Sequence, residues 1–134
     1  MKQKISYEGL YFCNLFEKIT HTRVKDCFGE ENLTFVVCKN NAAKAIGKGG
    51  VNVKKMKNLF KKNIQVVEYD EDPVKFVKNL IFPIVARTVE KQENTIEVSA
   101  DTQTKALLIG RNRKRLDYLN SILHKYFKFD LRIK

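Results

Sequence analysis

Ile46, Gly47, Lys48, Gly49 and Gly50 stand between two apolar helical patterns, inside a stretch from Lys44 to Lys62 that holds seven lysines and no acidic residue. Glycines in such a place let backbone approach a phosphate chain closely, and a helix start just beyond offers free N–H groups. Lysines add long-range attraction, so the combination suits a nucleic-acid clamp. An imperfect second copy, Ile109, Gly110, Arg111, Asn112 and Arg113, follows sixty-three positions later, counted from Gly47 to Gly110. The chain has the pattern of a duplicated binder.

The elements that must carry these loops recur in the same order. Leu10, Tyr11, Leu15 and Ile19 are spaced for a helix over Tyr7 to Thr20, and Arg23 to Phe28 with Leu33 to Cys38 predict a hairpin around Gly29 to Asn32. Asn40 and Asn41 are expected to cap a short helix, Ala42 to Ile46, that runs into the glycines. A longer helix then presents Val53, Met56, Leu59 and Phe60 as its apolar stripe, is closed by Asn63, and leads to a strand over Ile64 to Tyr69. Tyr11, Phe12, Phe16 and Phe28 are expected in the core.

In the second half, Asp72 as cap and Pro73 at the first helical position open a helix through Val74, Phe76, Val77, Leu80 and Ile81. Strands are predicted over Ile84 to Glu90 and Thr95 to Ser99, around a polar turn from Lys91 to Asn94. A short helix from Thr102 reaches Gly110, and a longer one begins near Arg113 with the stripe Leu116, Leu119, Leu123 and Tyr126, flanked by Ile122 and Phe127. Asp130 to Lys134 makes the last strand. Each half is helix, strand, strand, helix, glycine loop, helix, strand, which predicts an α+β fold with domains at 1–70 and 71–134 and a seam at Asp70, Glu71 and Asp72.

A formal net charge of +11 on 134 residues points to an anionic partner, and 43% hydrophobic content is enough for compact cores. The charge is shared: residues 1–70 carry thirteen basic and seven acidic side chains, and residues 71–134 carry thirteen and eight. Cys13, Cys27 and Cys38 are odd in number and lack CxxC spacing, which predicts small buried hydrophobes in a reducing compartment. Glu8, Asn14 and Glu17 interrupt the N-terminal apolar stretch, so no signal peptide is expected. The longest apolar run, Leu80 to Ala86, contains Pro83 and falls short of the ~20 residues of a membrane span, so the protein is expected in the cytoplasm.

Other chemistries fit less well. A phosphate-binding P-loop needs a hydroxyl residue after its lysine and an earlier glycine, where Gly49 and Ala42 stand. A dinucleotide fingerprint needs a small residue at Asn52 and a strand just upstream. Asp70, Glu71 and Asp72 sit where a cap and linker are needed rather than a metal or acid/base cluster, and His21 and His124 have no nucleophile or ligand beside them. No enzyme activity, cofactor, metal, membrane or small-molecule substrate is expected. The lysine face of the long helix, Lys54, Lys55, Lys57, Lys61 and Lys62, is partly a solvated surface, with Lys44, Lys48, Lys54 and Lys55 nearest the loop. Arg111, Arg113, Lys114 and Arg115 form a denser cluster, and arginine's planar fork suits phosphate or base stacking.

A GxxG loop joining two helices, with an internal lysine and an apolar residue before it, resembles the KH RNA-binding module. The element order resembles the type II arrangement in both halves. More closely, Asn14 to Thr20 (NLFEKIT), Arg23 to Asp26 (RVKD), Ala45 to Gly50 (AIGKGG), Asn52 to Lys54 (NVK) and Val66 to Pro73 (VVEYDEDP) resemble the archaeal NusA-like transcription factors. The resemblance implies two tandem type II KH domains, each a three-stranded mixed sheet packed on helices. It also implies a factor in transcription elongation and termination that grips single-stranded RNA, with RNA polymerase as a second partner. Together with the cations nearest each loop, the residues expected to bind RNA are Lys44, Ile46, Gly47, Lys48, Gly49, Gly50, Lys54 and Lys55, then Ile109, Gly110, Arg111, Asn112, Arg113, Lys114 and Arg115. Ile46 is expected to anchor the first loop beneath the base groove. The second loop departs from the pattern at Asn112 and Arg113 and is expected to bind differently. The alternatives are a ribosome-associated or ribosome-assembly KH factor, favoured by sedimentation with subunits, and a polymerase-binding protein adaptor, favoured by partner capture that ignores ribonuclease.

Overall fold

The computed structural model describes residues 7–134, in which the chain divides between Asp70 and Glu71 into two compact units. The first unit is organised around Asn32–Val37 (β2), where every residue but Asn32 is buried, as suits a β-branched and aromatic run in the middle of a sheet. Val24–Phe28 (β1) pairs with it antiparallel and Asn63–Glu68 (β3) pairs with it in parallel, giving the order β1-β2-β3. The parallel pairing is made possible by the helices Ala42–Ile46 (α2) and Val51–Phe60 (α3), which supply the long crossover it requires. Tyr7–Thr20 (α1) precedes the sheet.

The turn from α1 into β1 is fixed by side chains of the NLFEKIT segment. Glu17 Oε2 accepts the Val24 N–H at 2.9 Å, and the Thr20 hydroxyl donates to the Phe16 carbonyl at 2.8 Å. That motif therefore holds the fold rather than the loop. Phe16 stacks on Phe35 at 4.4 Å between ring centres, and Phe12 meets Phe60 at 4.9 Å. Leu33, Val37, Ala45 and Met56 complete this core.

Several side chains face otherwise than expected. Leu10 and Tyr11 are exposed, because a helix buries one stripe and the larger aromatic set of Phe12 and Phe16 takes it. Leu59 is exposed for the same reason, with Met56 and Phe60 turned inward. Asn41 stands at the start of α2 with helical backbone and makes no capping bond, so the expected cap is absent there. Lys61, not Asn63, ends α3, in a left-handed conformation (φ 57°, ψ 39°) with its N–H on the Lys57 carbonyl. Asn63 instead opens β3 and donates its side-chain amide to Asn32 Oδ1 at 2.7 Å.

The second unit repeats the arrangement with Pro73–Ile81 (α4), Thr88–Lys91 (β4), Thr95–Ser99 (β5), Thr102–Ile109 (α5), Lys114–Tyr126 (α6) and Asp130–Ile133 (β6). Its sheet order is β4-β5-β6, antiparallel then parallel. Asp72 caps α4 as expected, its Oδ1 accepting the Val74 N–H at 2.9 Å with Pro73 behind it. Asp101 does the same for α5 through the Thr104 N–H at 2.8 Å. Phe76, Val77, Leu80, Ile96, Val98, Leu108, Ile122 and Leu123 are fully buried. The strand expected over Ile84 to Glu90 begins only at Thr88: β5 ends at Ser99, the partner of Thr88, so earlier residues have no ladder to join beyond the Arg87 N–H on the Ser99 carbonyl.

Cys13 is buried, while Cys27 and Cys38 are half-buried, and all three are free thiols. A hydrogen bond to Cys13, and then burial, hold the Cys27 proton well above the ordinary thiol range, which makes it a poor nucleophile. Among the described residues no helix is long and apolar enough to cross a membrane.

Candidate nucleic-acid interface

The first loop is a sharp exit from one helix and an immediate entry into the next. Gly47 leaves α2 at φ 82°, ψ 162°, with its N–H still on the Ala43 carbonyl at 3.0 Å. Lys48–Gly50 form a single 3₁₀ turn closed by the Gly50 N–H on the Gly47 carbonyl at 3.0 Å. Gly49 and Gly50 both lie in the left-handed region, at φ 65°, ψ 18° and φ 75°, ψ 20°.

Gly47 answers to the protein itself: a Cβ there would lie 2.9 Å from Val51 Cγ1 and 3.0 Å from the Asn52 amide. Gly49 and Gly50 face open space, with nothing within 4 Å of a Cβ at either position. Asn52 braces the turn by donating its side-chain amide to the Lys44 carbonyl at 3.3 Å. Lys44, Lys48, Lys54 and Lys55 are all exposed around it. No acidic residue lies in the first turn of α3. The result is an uncovered main-chain turn ringed by cations, a setting for an anionic chain rather than for proton-transfer chemistry.

Ile46, expected to anchor the loop beneath the base groove, keeps 37% of its surface exposed. Its neighbour Ala45 is the buried anchor of the loop, fully enclosed in the first core. Ile46 and Val51 are left as apolar surface flanking the turn.

The second loop has the same backbone. Gly110 leaves α5 at φ 75°, ψ 172°, and Asn112 and Arg113 follow at φ 55°, ψ 29° and φ 63°, ψ 14°. The equivalent hydrogen bonds are present, from the Gly110 N–H to Ala106 and from the Arg113 N–H to Gly110. A Cβ on Gly110 would fall 2.8 Å from that of Arg115, so this glycine too is required internally. Leu108 is the buried anchor, with Ile109 half-buried beside it. Arg111, Asn112, Arg113, Lys114 and Arg115 are all exposed, with Asp117 the acidic residue in the first turn of α6.

Asn52 and the two buried anchors, Ala45 and Leu108, lie outside the expected site residues. The signal for Asn52 was an amide five residues beyond the first loop glycine, within reach of the preceding helix's open carbonyls. Among the described residues, no group of three His, Cys, Asp or Glu side chains is placed to hold a metal ion.

Comparison with known proteins gives a consistent picture. The family model for the KH domain matches residues 14–86. The chain is 35% identical over 122 residues to the "Probable transcription termination protein NusA" of Methanococcus vannielii, covering 87% of this chain and 70% of that protein. The protein of the same name from Methanocaldococcus jannaschii is 30% identical over 132 residues, covering 95% and 72%. Among solved structures, the crystal structure of APE1850 superposes with a TM-score of 0.72 at 28% identity, covering 97% of this chain and 100% of that one.

Proposed function

The chain belongs to the KH domain family and, within it, to the archaeal NusA-like proteins, and from that membership we propose that it grips single-stranded RNA through both loops while acting in transcription termination or elongation. The observation that carries this reading is the recurrence of one loop backbone in two units, each time solvent-facing and ringed by lysine or arginine. Fold and site geometry call for no reacting group: the loops offer main chain, cations and adjoining apolar surface, which are the means of holding a flexible polyanion. The relatives' name places them in transcription termination, and we propose RNA polymerase as the second partner on that ground.

The test is to change Lys48 and Gly49 together to Asp and measure RNA binding by fluorescence anisotropy. Most of the affinity should vanish while the thermal midpoint holds, and the parent chain's affinity should fall steeply with salt. Full affinity in the double variant would reject this site.

A further inference from the structure

The two loops share a backbone and differ in what stands on it. At the last two positions the first has Gly49 and Gly50, the second Asn112 and Arg113, all with positive φ between 55° and 75°. The protein does not need glycine there to hold that shape, since the second loop holds it with L side chains against left-handed strain. Nor does packing demand it, since a Cβ at 49 or 50 would meet nothing within 4 Å. The surface over Gly49 and Gly50 is thus bare main chain. At Asn112 and Arg113 the same backbone positions carry an exposed amide and an exposed guanidinium side chain.

Resting on the RNA reading above, we propose that the loops divide the work. The first loop takes a ribose-phosphate chain into direct contact with its main chain at Lys48 to Gly50. The second holds phosphates only at side-chain length, through Arg111, Arg113 and Arg115. Contact at main-chain distance requires a strand that can bend into the turn, so the first loop selects unpaired RNA. Guanidinium groups on long stems accept phosphates from paired and unpaired chains alike, with affinity governed by charge and salt.

Exchanging the residues tests the division in the full chain. The variant G49N/G50R places the second loop's side chains on the first and adds one positive charge, so attraction alone would tighten binding. The expected result is the opposite: affinity for a single-stranded oligoribonucleotide falls about tenfold, the loss of one charge-assisted main-chain contact. Affinity for an RNA duplex of equal length holds or rises. The reverse variant N112G/R113G relieves backbone strain and so keeps the fold. It should raise the ratio of single-strand to duplex affinity and lower the salt slope by about 0.7.

Single-strand binding by G49N/G50R as tight as the parent's would overturn the division while leaving the RNA reading intact. Should that variant fail to fold, an unchanged single-strand to duplex ratio in N112G/R113G would overturn it equally. The RNA reading itself fails by a different result, undiminished affinity in the Lys48 and Gly49 to Asp variant.

Discussion

Asn52 donates its side-chain amide to the Lys44 carbonyl at 3.3 Å, tying the last turn of α2 to the first turn of α3 across the first loop. The bond is exposed, so its contribution to folding is small, but it spans the loop that we propose to hold RNA. Asn52→Ala should therefore weaken RNA binding roughly three- to tenfold, the equivalent of a net hydrogen bond, with little change in thermal midpoint. Anisotropy and thermal melts on the same preparations check both parts, and unaltered affinity would show the brace to be idle.

Lys61 ends α3 in a left-handed conformation that suits glycine better than any L residue. Lys61→Gly should stabilise the first unit by about 1 kcal/mol as that strain is relieved. Because Lys61 lies at the far end of α3 from the glycines, RNA affinity should stay within about twofold, as for a solvated surface charge. Urea titration with an unchanged m value is the check.

Phe35 is fully buried and stacks on Phe16 in the first core. Phe35→Ala should cost about 3–5 kcal/mol, most of the stability a unit of this size commands. Hydrogen exchange should then lose protection throughout β1, β2 and β3. Phe35→Leu, which keeps most of the volume, should be tolerated far better.

Asp101 caps α5, and the Thr104 backbone N–H, then the Thr104 side chain, hold its carboxyl below the ordinary carboxylate range. A lowered pKa in the folded state means stability that is present above the unfolded pKa and lost as pH falls through the folded one. The gap in thermal midpoint between the parent and Asp101→Asn should stay constant above about pH 5 and close in stronger acid. A gap that widened on acidification would contradict the capping role.

Much of this was legible in the residues themselves. The Asp72 and Pro73 pair announced α4, β5 was predicted over the residues it occupies, and the stripe of Leu116, Leu119 and Leu123 is buried in α6. These signals are local: a cap, a proline or a run at one period acts within a few residues of itself. The charge around both loops was readable for the same reason, since lysines and arginines this numerous have nowhere to go but solvent.

What the residues alone did not decide was each choice between neighbours that only packing could settle. Whether Tyr11 or Phe12 turns inward depends on Phe60 lying across from it, and whether Ala45 or Ile46 is buried depends on the space left beneath the loop. The start of β4 depends on where β5, its partner, ends. The shared shape of the two loops was hidden because Arg113, unlike glycine, does not by itself announce a left-handed backbone. Element order, duplication and charge are written in the residues, because they follow from local periodicity and composition. Which faces are buried and how the second turn is bent emerge only on folding, because those depend on atoms brought close from distant parts of each unit.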